Sequence, residues 1–365
     1  MKKIHDTVVK CSTFLLLATA LALGLIACGG SSGNSTSDGA GYDKIAPPSP
    51  AKVQQSPAIS AQRMSELVRE LASAKYEGRL PGTTGDQLAE DYLVNEFRAI
   101  GLQPAFGDSY LQRFQTTIVE PDGESHGNPE NPLFGERMAS SNIIGILPGT
   151  DPVLSREVII ISGHRDHLGR TPDGIHYPGA NDDLSGLAST MELARAFTQL
   201  KARNIANKRT LMFIAYGAEE QHEMGSMYHV AHPVPGAPNK NIVLMISIDM
   251  IGLGFDKWNT YSQARLDEYA NTWYQEVYND SDDDSDEYSH EYPPEKKNTF
   301  SYDAGPFGKI GINNRVFGTI QNIPTYHKTT DTWASVHFGP AAIATRTIFD
   351  FLWKVDQDPR VHVKS

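Results

Sequence analysis

From residue 60 onward, short apolar runs alternate with stretches of helical periodicity. Residues 61–74, AQRMSELVRELASA, place Met64, Leu67, Val68 and Leu71 on one helical face. Residues 85–101, GDQLAEDYLVNEFRAIG, place Leu88, Tyr92, Phe97 and Ile100 on a second helix, which Gly101 closes. Five apolar runs follow: SNIIGILPG, REVIIISG, TLMFIAYG, NIVLMISIDM and INNRVFGTI. Each is short, rich in β-branched or aromatic residues, and reads as a strand. Between them, DDLSGLASTMELARAFTQL repeats Leu184, Leu187, Met191 and Ala194 at helical spacing, with Asp182-Asp183 placed to cap its start. GPAAIATRTIFDFLWKV reads as a closing helix. Runs this apolar suit strands covered by helices on both faces. The expectation is an α/β fold of three layers, α/β/α, around a mixed, mostly parallel central sheet. In such sheets functional groups gather beyond the carboxyl ends of the strands.

Those ends carry acids and histidines. VIIISGHRDHLG brings His164, Asp166 and His167 just after an apolar run. LMFIAYGAEE ends in Glu219-Glu220, and VLMISIDM reaches Asp249. YPGANDDLSG puts Asp182 at a turn into a helix, and PTYHKTTDTW puts His327 and Asp331 in a late loop. One acid at a strand end is usually a cap; six such groups on one sheet point to a hydrolytic site with two metal ions. Two divalent ions about 3.5–4 Å apart need a bridging carboxylate and neutral imidazoles. Asp182 would bridge, His164 and Asp249 would hold one zinc, and Glu220 and His327 the other. Asp166 could orient His164 by accepting its second N–H. Glu219 would take the proton of a water and pass it to the leaving amine. The metals would polarise the scissile carbonyl and lower the pKa of that water toward ~7.

Composition narrows the partners. The 365 residues are 39% hydrophobic with a net charge of -12, which disfavours nucleic acid as a partner. There are two cysteines, Cys11 and Cys28. Residues 1–27 read as a signal peptide, with a basic MKK start and an apolar run from Phe14 to Ala27. Leu25-Ile26-Ala27-Cys28 resembles a bacterial lipoprotein cleavage box, which implies lipidation of Cys28. Several acyl chains would anchor the protein to a membrane, each buried methylene contributing roughly 0.8 kcal/mol. Gly29 after the cysteine leans toward the outer membrane in this class, and hence the cell envelope of a Gram-negative bacterium. Residues 28–58, rich in Gly, Ser and Pro, read as a tether. The mature chain would hold no disulfide, so any metal site must use His, Asp and Glu.

The blocks SGHRDHLG, YPGANDDLSGLA, AYGAEEQHEMGS, SIDMIG and YHKTTDT resemble, in order and spacing, the signature blocks of the M28 family of zinc aminopeptidases. The resemblance runs from about residue 60 to 355 and implies a single peptidase domain over residues 59–365. It implies two zinc ions held by His164, Asp182, Glu220, Asp249 and His327, with Glu219 as general base. The implied substrate is the N-terminus of a peptide or protein. Three departures fall on the expected substrate side. Arg165 stands where the family often has an aromatic residue. His222-Glu223 replaces a Gly and an apolar residue. SYDAGPF matches a late block at Asp303 but has Ala304 in place of a His.

Other groups read as structural. His167 and His176 are expected on the polar rim, and Asp331 as a loop acid fixing the His327 segment. His222-Glu223 begins like a zincin helix, but Ser226 stands where the second His belongs. No G-x-S-x-G elbow is present. Residues 280–291 hold seven acids and no Lys or Arg, inside an acidic loop at about 279–297. Asp280, Asp282, Asp284, Asp286 and Glu291 fall at calcium-loop offsets. The loop lacks the Gly and the exit helix of such a site, and reads as a solvated segment. Rival functions remain open here: a glutaminyl cyclase-like enzyme with one zinc, a carboxypeptidase using Arg165 or Arg315 as its clamp, or an envelope peptide-binding protein.

Overall fold

The five apolar runs become five strands of one seven-stranded sheet. The structure, a computed structural model, describes residues 58–118, 133, 135–252, 302–318 and 323–361. The signal peptide, Cys28, nearly all of the tether and the acidic loop lie outside them. The described residues all fall within one unit, Gln55–Ser365. The strands are β1 (Gln103–Pro104), β2 (Leu111–Thr117), β3 (Arg137–Leu147), β4 (Val158–His164), β5 (Thr210–Tyr216), β6 (Ile242–Asp249) and β7 (Asn314–Gly318). The helices are α1 (Ala61–Leu71), α2 (Thr84–Ile100), α3 (Leu184–Ala202), α4 (Met224–Ala231), α5 (Gly305–Gly308) and α6 (Phe338–Gln357). The sheet order is β1-β3-β5-β4-β6-β7, with β2 also pairing β3. Strands β5, β4, β6 and β7 are parallel, and β3 turns antiparallel to β5.

Both faces of the sheet are buried, which is why the strands read as unbroken apolar runs. Alternate residues sort to opposite sides. Ile159, Ile161, Leu211, Phe213, Leu244 and Ile246 pack in one core with α1, α3 and α6. Ile160, Met212, Ile214, Tyr216 and Met245 pack in the other with Val234 and Phe307. Each fully buried Leu, Ile or Phe among them contributes about 1.5–3 kcal/mol.

Helix α1 buries the predicted Met64, Leu67, Val68 and Leu71. On α2 the buried stripe is Ala89, Leu93, Phe97 and Ile100, while Leu88 is 37% exposed. That stripe keeps the spacing of three to four residues, and Leu88 lies about one residue's rotation off it. Gly101 ends α2 with φ at 90°, a left-handed value that glycine adopts without strain. Strand β2 is not anticipated by the apolar pattern. Its inward residues are Gln112, Phe114 and Thr116, so the period of two is hidden by polar side chains. Among the described residues, no helix is long and apolar enough to cross a membrane.

Strand β4 lies between β5 and β6. The chain leaves β4 for β5 on one flank through α3, then returns through α4 to β6 on the other. The carboxyl end of β4 is therefore the switch point where the crossovers diverge, the place where such sheets gather functional groups. Helix α3 starts hard against this end. A Cβ at Gly186 would sit 2.1 Å from the Ile248 carbonyl oxygen, so only glycine permits the approach.

Helix α4 contributes His229, fully buried with its Nδ1 2.9 Å from the Tyr216 hydroxyl. Burial lowers its pKa from 6.5 to about 4. The folded state therefore keeps His229 neutral where the unfolded chain binds a proton. The stability this group contributes is complete above about pH 6.5 and is lost progressively as pH falls toward 4, by up to about 3 kcal/mol. Urea titrations at pH 7 and pH 5 should show a smaller loss for His229→Phe than for the wild type. Equal losses would assign the acid sensitivity elsewhere.

Candidate metal centre

Five chain segments deliver the site. His164 is the last residue of β4. Asp182 precedes Asp183, the N-cap of α3, across a cis peptide bond. Glu219 and Glu220 follow β5, in a turn where Ala218 takes φ 59°. Asp249 ends β6, and His327 comes from the segment between β7 and α6 with φ 51°.

Asp182 lies between the two imidazoles. Its Oδ1 is 3.2 Å from His164 Nε2 and its Oδ2 is 3.3 Å from His327 Nε2. On the His164 side stand Glu219 Oε2 at 3.7 Å and Asp249 Oδ2 at 3.9 Å. On the His327 side stands Glu220 Oε2 at 3.1 Å. The sequence-predicted ligands thus converge, two groups to each side of one shared carboxylate.

The electrostatics fit a divalent cation. His164, Asp182, Glu219, Glu220 and Asp249 are all buried. Burial would lower both imidazoles, but the surrounding carboxylates outweigh it, holding His164 well above its ordinary value and His327 at about 10. Burial pushes every carboxyl up. At Asp182 and Glu220 the imidazoles overcome it, leaving Asp182 well below its usual range and Glu220 at about 2. Glu219 stays raised by burial and by Asp303, Glu220 and Asp249, and burial takes Asp249 to about 7. Asp182 Oδ2, Asp249 Oδ1 and His327 Nε2 are buried without a hydrogen-bond partner. His164, Asp182 and Glu220 offer ligand atoms within 4.8 Å of one another. A buried set of imidazole nitrogens and carboxylate oxygens, with unsatisfied atoms facing inward, fits zinc.

Other acids hold the frame. Asp166 accepts the backbone N–H of Glu219 on Oδ1 (3.1 Å) and of Glu220 on Oδ2 (3.3 Å). It stands 3.8 Å from His164 Nδ1, beyond hydrogen-bond reach. Its contact is therefore with the glutamate turn, rather than with the imidazole as expected. Asp183 accepts from the backbone of Gly186, Met250 and His164, each at 3.0 Å, and so ties α3, β6 and β4 together. Asp331 accepts from Asn181 and Asp182, at 3.0–3.1 Å; it fixes the Asp182 turn from the His327 side. Arg79 is buried and donates to the carbonyls of Leu71, Arg165, Pro178 and Gly179, bracing the loops that carry Asp166 and Asp182.

Two further expectations change. His167 is not a rim residue: it is fully buried, and its Nδ1 is 2.6 Å from Glu220 Oε1. The run RDHLG gives no sign of this, since a histidine three residues past a strand reads equally well as exposed. Arg165 is not on the substrate side either. It is fully buried, pairs with Asp86 and donates to the Ser141 carbonyl at 3.0 Å. An arginine in that position answers the acids of α2. Glu223 is buried at φ 55° at the start of α4, and its N–H donates to the Glu219 carbonyl at 2.8 Å. Asp303 is also buried, and burial pushes it up to about 8.

Comparison with known proteins places this geometry. The probable leucine aminopeptidase 2 of Aspergillus oryzae is 33% identical over 155 residues, which are 39% of this chain and 28% of that protein. Aminopeptidase YwaD of Bacillus subtilis is 28% identical over 132 residues, 36% of this chain and 26% of that protein. The chain thus spans between a quarter and a third of the length of these two curated relatives. Among solved structures, the aminopeptidase from Aneurinibacillus sp. strain AM-1 superposes with a TM-score of 0.59 at 15% identity, covering 84% of this chain and 96% of that one. The zinc aminopeptidase BSAP from Bacillus subtilis gives 0.57 at 14% identity, with 84% and 98% covered. At such identities the likeness is one of fold. The model of peptidase family M28 matches residues 142–352, more than half of the 365 residues and every segment that carries the site. The chain belongs to peptidase family M28.

Proposed function

We propose that the protein is a zinc aminopeptidase that removes the first residue of peptides, with two zinc ions per chain. The carrying observation is Asp182, whose two oxygens face two imidazoles at 3.2 and 3.3 Å. His164 and Asp249 would hold one ion, His327 and Glu220 the other, and Asp182 both. When bound, the pair would supply a Lewis acid for the scissile carbonyl and a water with pKa near ~7.

The chain's own residues do the rest. Glu219 is fixed by its backbone to Asp166 and Glu223, with its carboxyl 3.7 Å from His164 Nε2. Burial raises its pKa, which suits a group that accepts a proton from water and returns it to the leaving amine. A site this rich in carboxylates attracts the free α-ammonium of a substrate. The carboxypeptidase reading loses one of its two candidate clamps, because the Arg165 guanidinium is committed to Asp86 and Ser141. We further propose that Cys28 is lipidated and anchors the enzyme to the cell envelope, at the outer membrane of a Gram-negative bacterium.

Glu219→Gln should keep zinc, as measured by elemental analysis, and lose aminoacyl-p-nitroanilide hydrolysis by about 10²–10⁴-fold; an unchanged rate would move the base elsewhere. Hydrolysis of the native enzyme should also vanish in chelator and return with zinc. Cys28→Ser should shift the activity from the membrane pellet to the supernatant. Activity that stays in the pellet would contradict the anchor.

A further inference from the structure

His167 is a buried histidine that the proposed reaction does not use. Its Nδ1 lies 2.6 Å from Glu220 Oε1, while the other oxygen of the same carboxylate, Oε2, lies 3.1 Å from His327 Nε2. A carboxylate oxygen accepts, so the imidazole N–H of His167 donates to Glu220. The two oxygens of Glu220 are thereby given to different imidazoles.

The His167 ring has little freedom to leave. It is fully buried. It packs edge-on against His327 at 5.8 Å between centroids and against Tyr177 at 6.4 Å. Its backbone N–H donates to the Arg79 carbonyl at 3.3 Å. The Gly179 side is as close: a Cβ there would come within 2.6 Å of the imidazole Cδ2. Adjacent residues thus divide the control of one glutamate. Asp166 holds its backbone N–H and His167 holds its side chain.

We propose that His167 is a positioning residue that restricts Glu220 to one ligating oxygen and thereby sets zinc affinity at the position Glu220 shares with His327. Among the described residues, His167 touches Glu220 and His327 and makes no hydrogen bond to His164 or Asp249. This rests on Glu220 being a ligand, as proposed above. Losing a hydrogen bond that orients a metal ligand typically costs 10–100-fold in affinity.

The test is zinc binding to the metal-free full-length protein, by competition with a chromophoric chelator. Glu220→Gln identifies the binding step that Glu220 serves. His167→Leu should weaken that step by 10–100-fold and leave the other within about twofold. His167→Asn, whose amide nitrogen can stand where Nδ1 stands, should restore it to within a few fold. An unchanged step in His167→Leu, or equal weakening of both steps, overturns the inference. If His167→Leu does not fold, His167→Asn decides: a retained step supports the positioning role and a lost one overturns it. A wild type with one zinc step would instead sink the two-zinc reading, while the His167 comparison would still be read on that step. A Glu220→Gln variant that binds zinc like the wild type would overturn both.

Discussion

The structure depends on burying many carboxyl groups at one end of a sheet without leaving them to repel one another. Asp166, Asp182, Asp183, Glu219, Glu220, Asp249 and Asp303 are all buried, and an isolated buried carboxylate is costly. Three solutions coexist. Asp166, Asp183 and Asp331 spend their oxygens on backbone N–H groups and so become structural. Asp182 and Glu220 face imidazoles and stay ionised. Glu219, Asp249 and Asp303 have neither advantage in full, and burial raises them. The division between frame and the proposed ligands and base follows from what each carboxyl meets, not from residue type.

The fold provides the meeting place. The crossovers diverge at β4, so the ends of β4, β5 and β6 bring their acids and histidine to one place. Close approach of α3 at Gly186 puts its N-cap, Asp183, within reach of two strand ends, those of β4 and β6. Arg79 and Asp331 then pin the connecting loops from opposite sides. A cluster this braced changes little when it accepts a ligand, which is what a preorganised metal site requires.

Much of this was legible in the chain. The strands of the parallel sheet announce themselves because both faces are apolar, and the candidate ligands because acids and histidines recur at strand ends. The M28 resemblance supplied their order. What stayed hidden depends on three-dimensional partners. Strand β2 buries Gln112 and Thr116, so its alternation carries no apolar signal. Arg165 looks like a substrate contact until Asp86, far away in sequence, is seen to claim it. His167 and Arg79 lie in unremarkable loop sequence. Their importance comes from a carboxylate and four carbonyls contributed by other segments. The adjacent Glu219-Glu220 pair does meet different neighbours, His164 and His327.

The central claim is that Asp182 is shared by two ions. Anomalous diffraction at the zinc absorption edge, on crystals grown with zinc, tests it most directly. The account predicts two peaks about 3.5–4 Å apart, one beside His164 and Asp249 and one beside His327 and Glu220, with Asp182 touching both. A single peak, or a pair of which Asp182 touches only one, would contradict it.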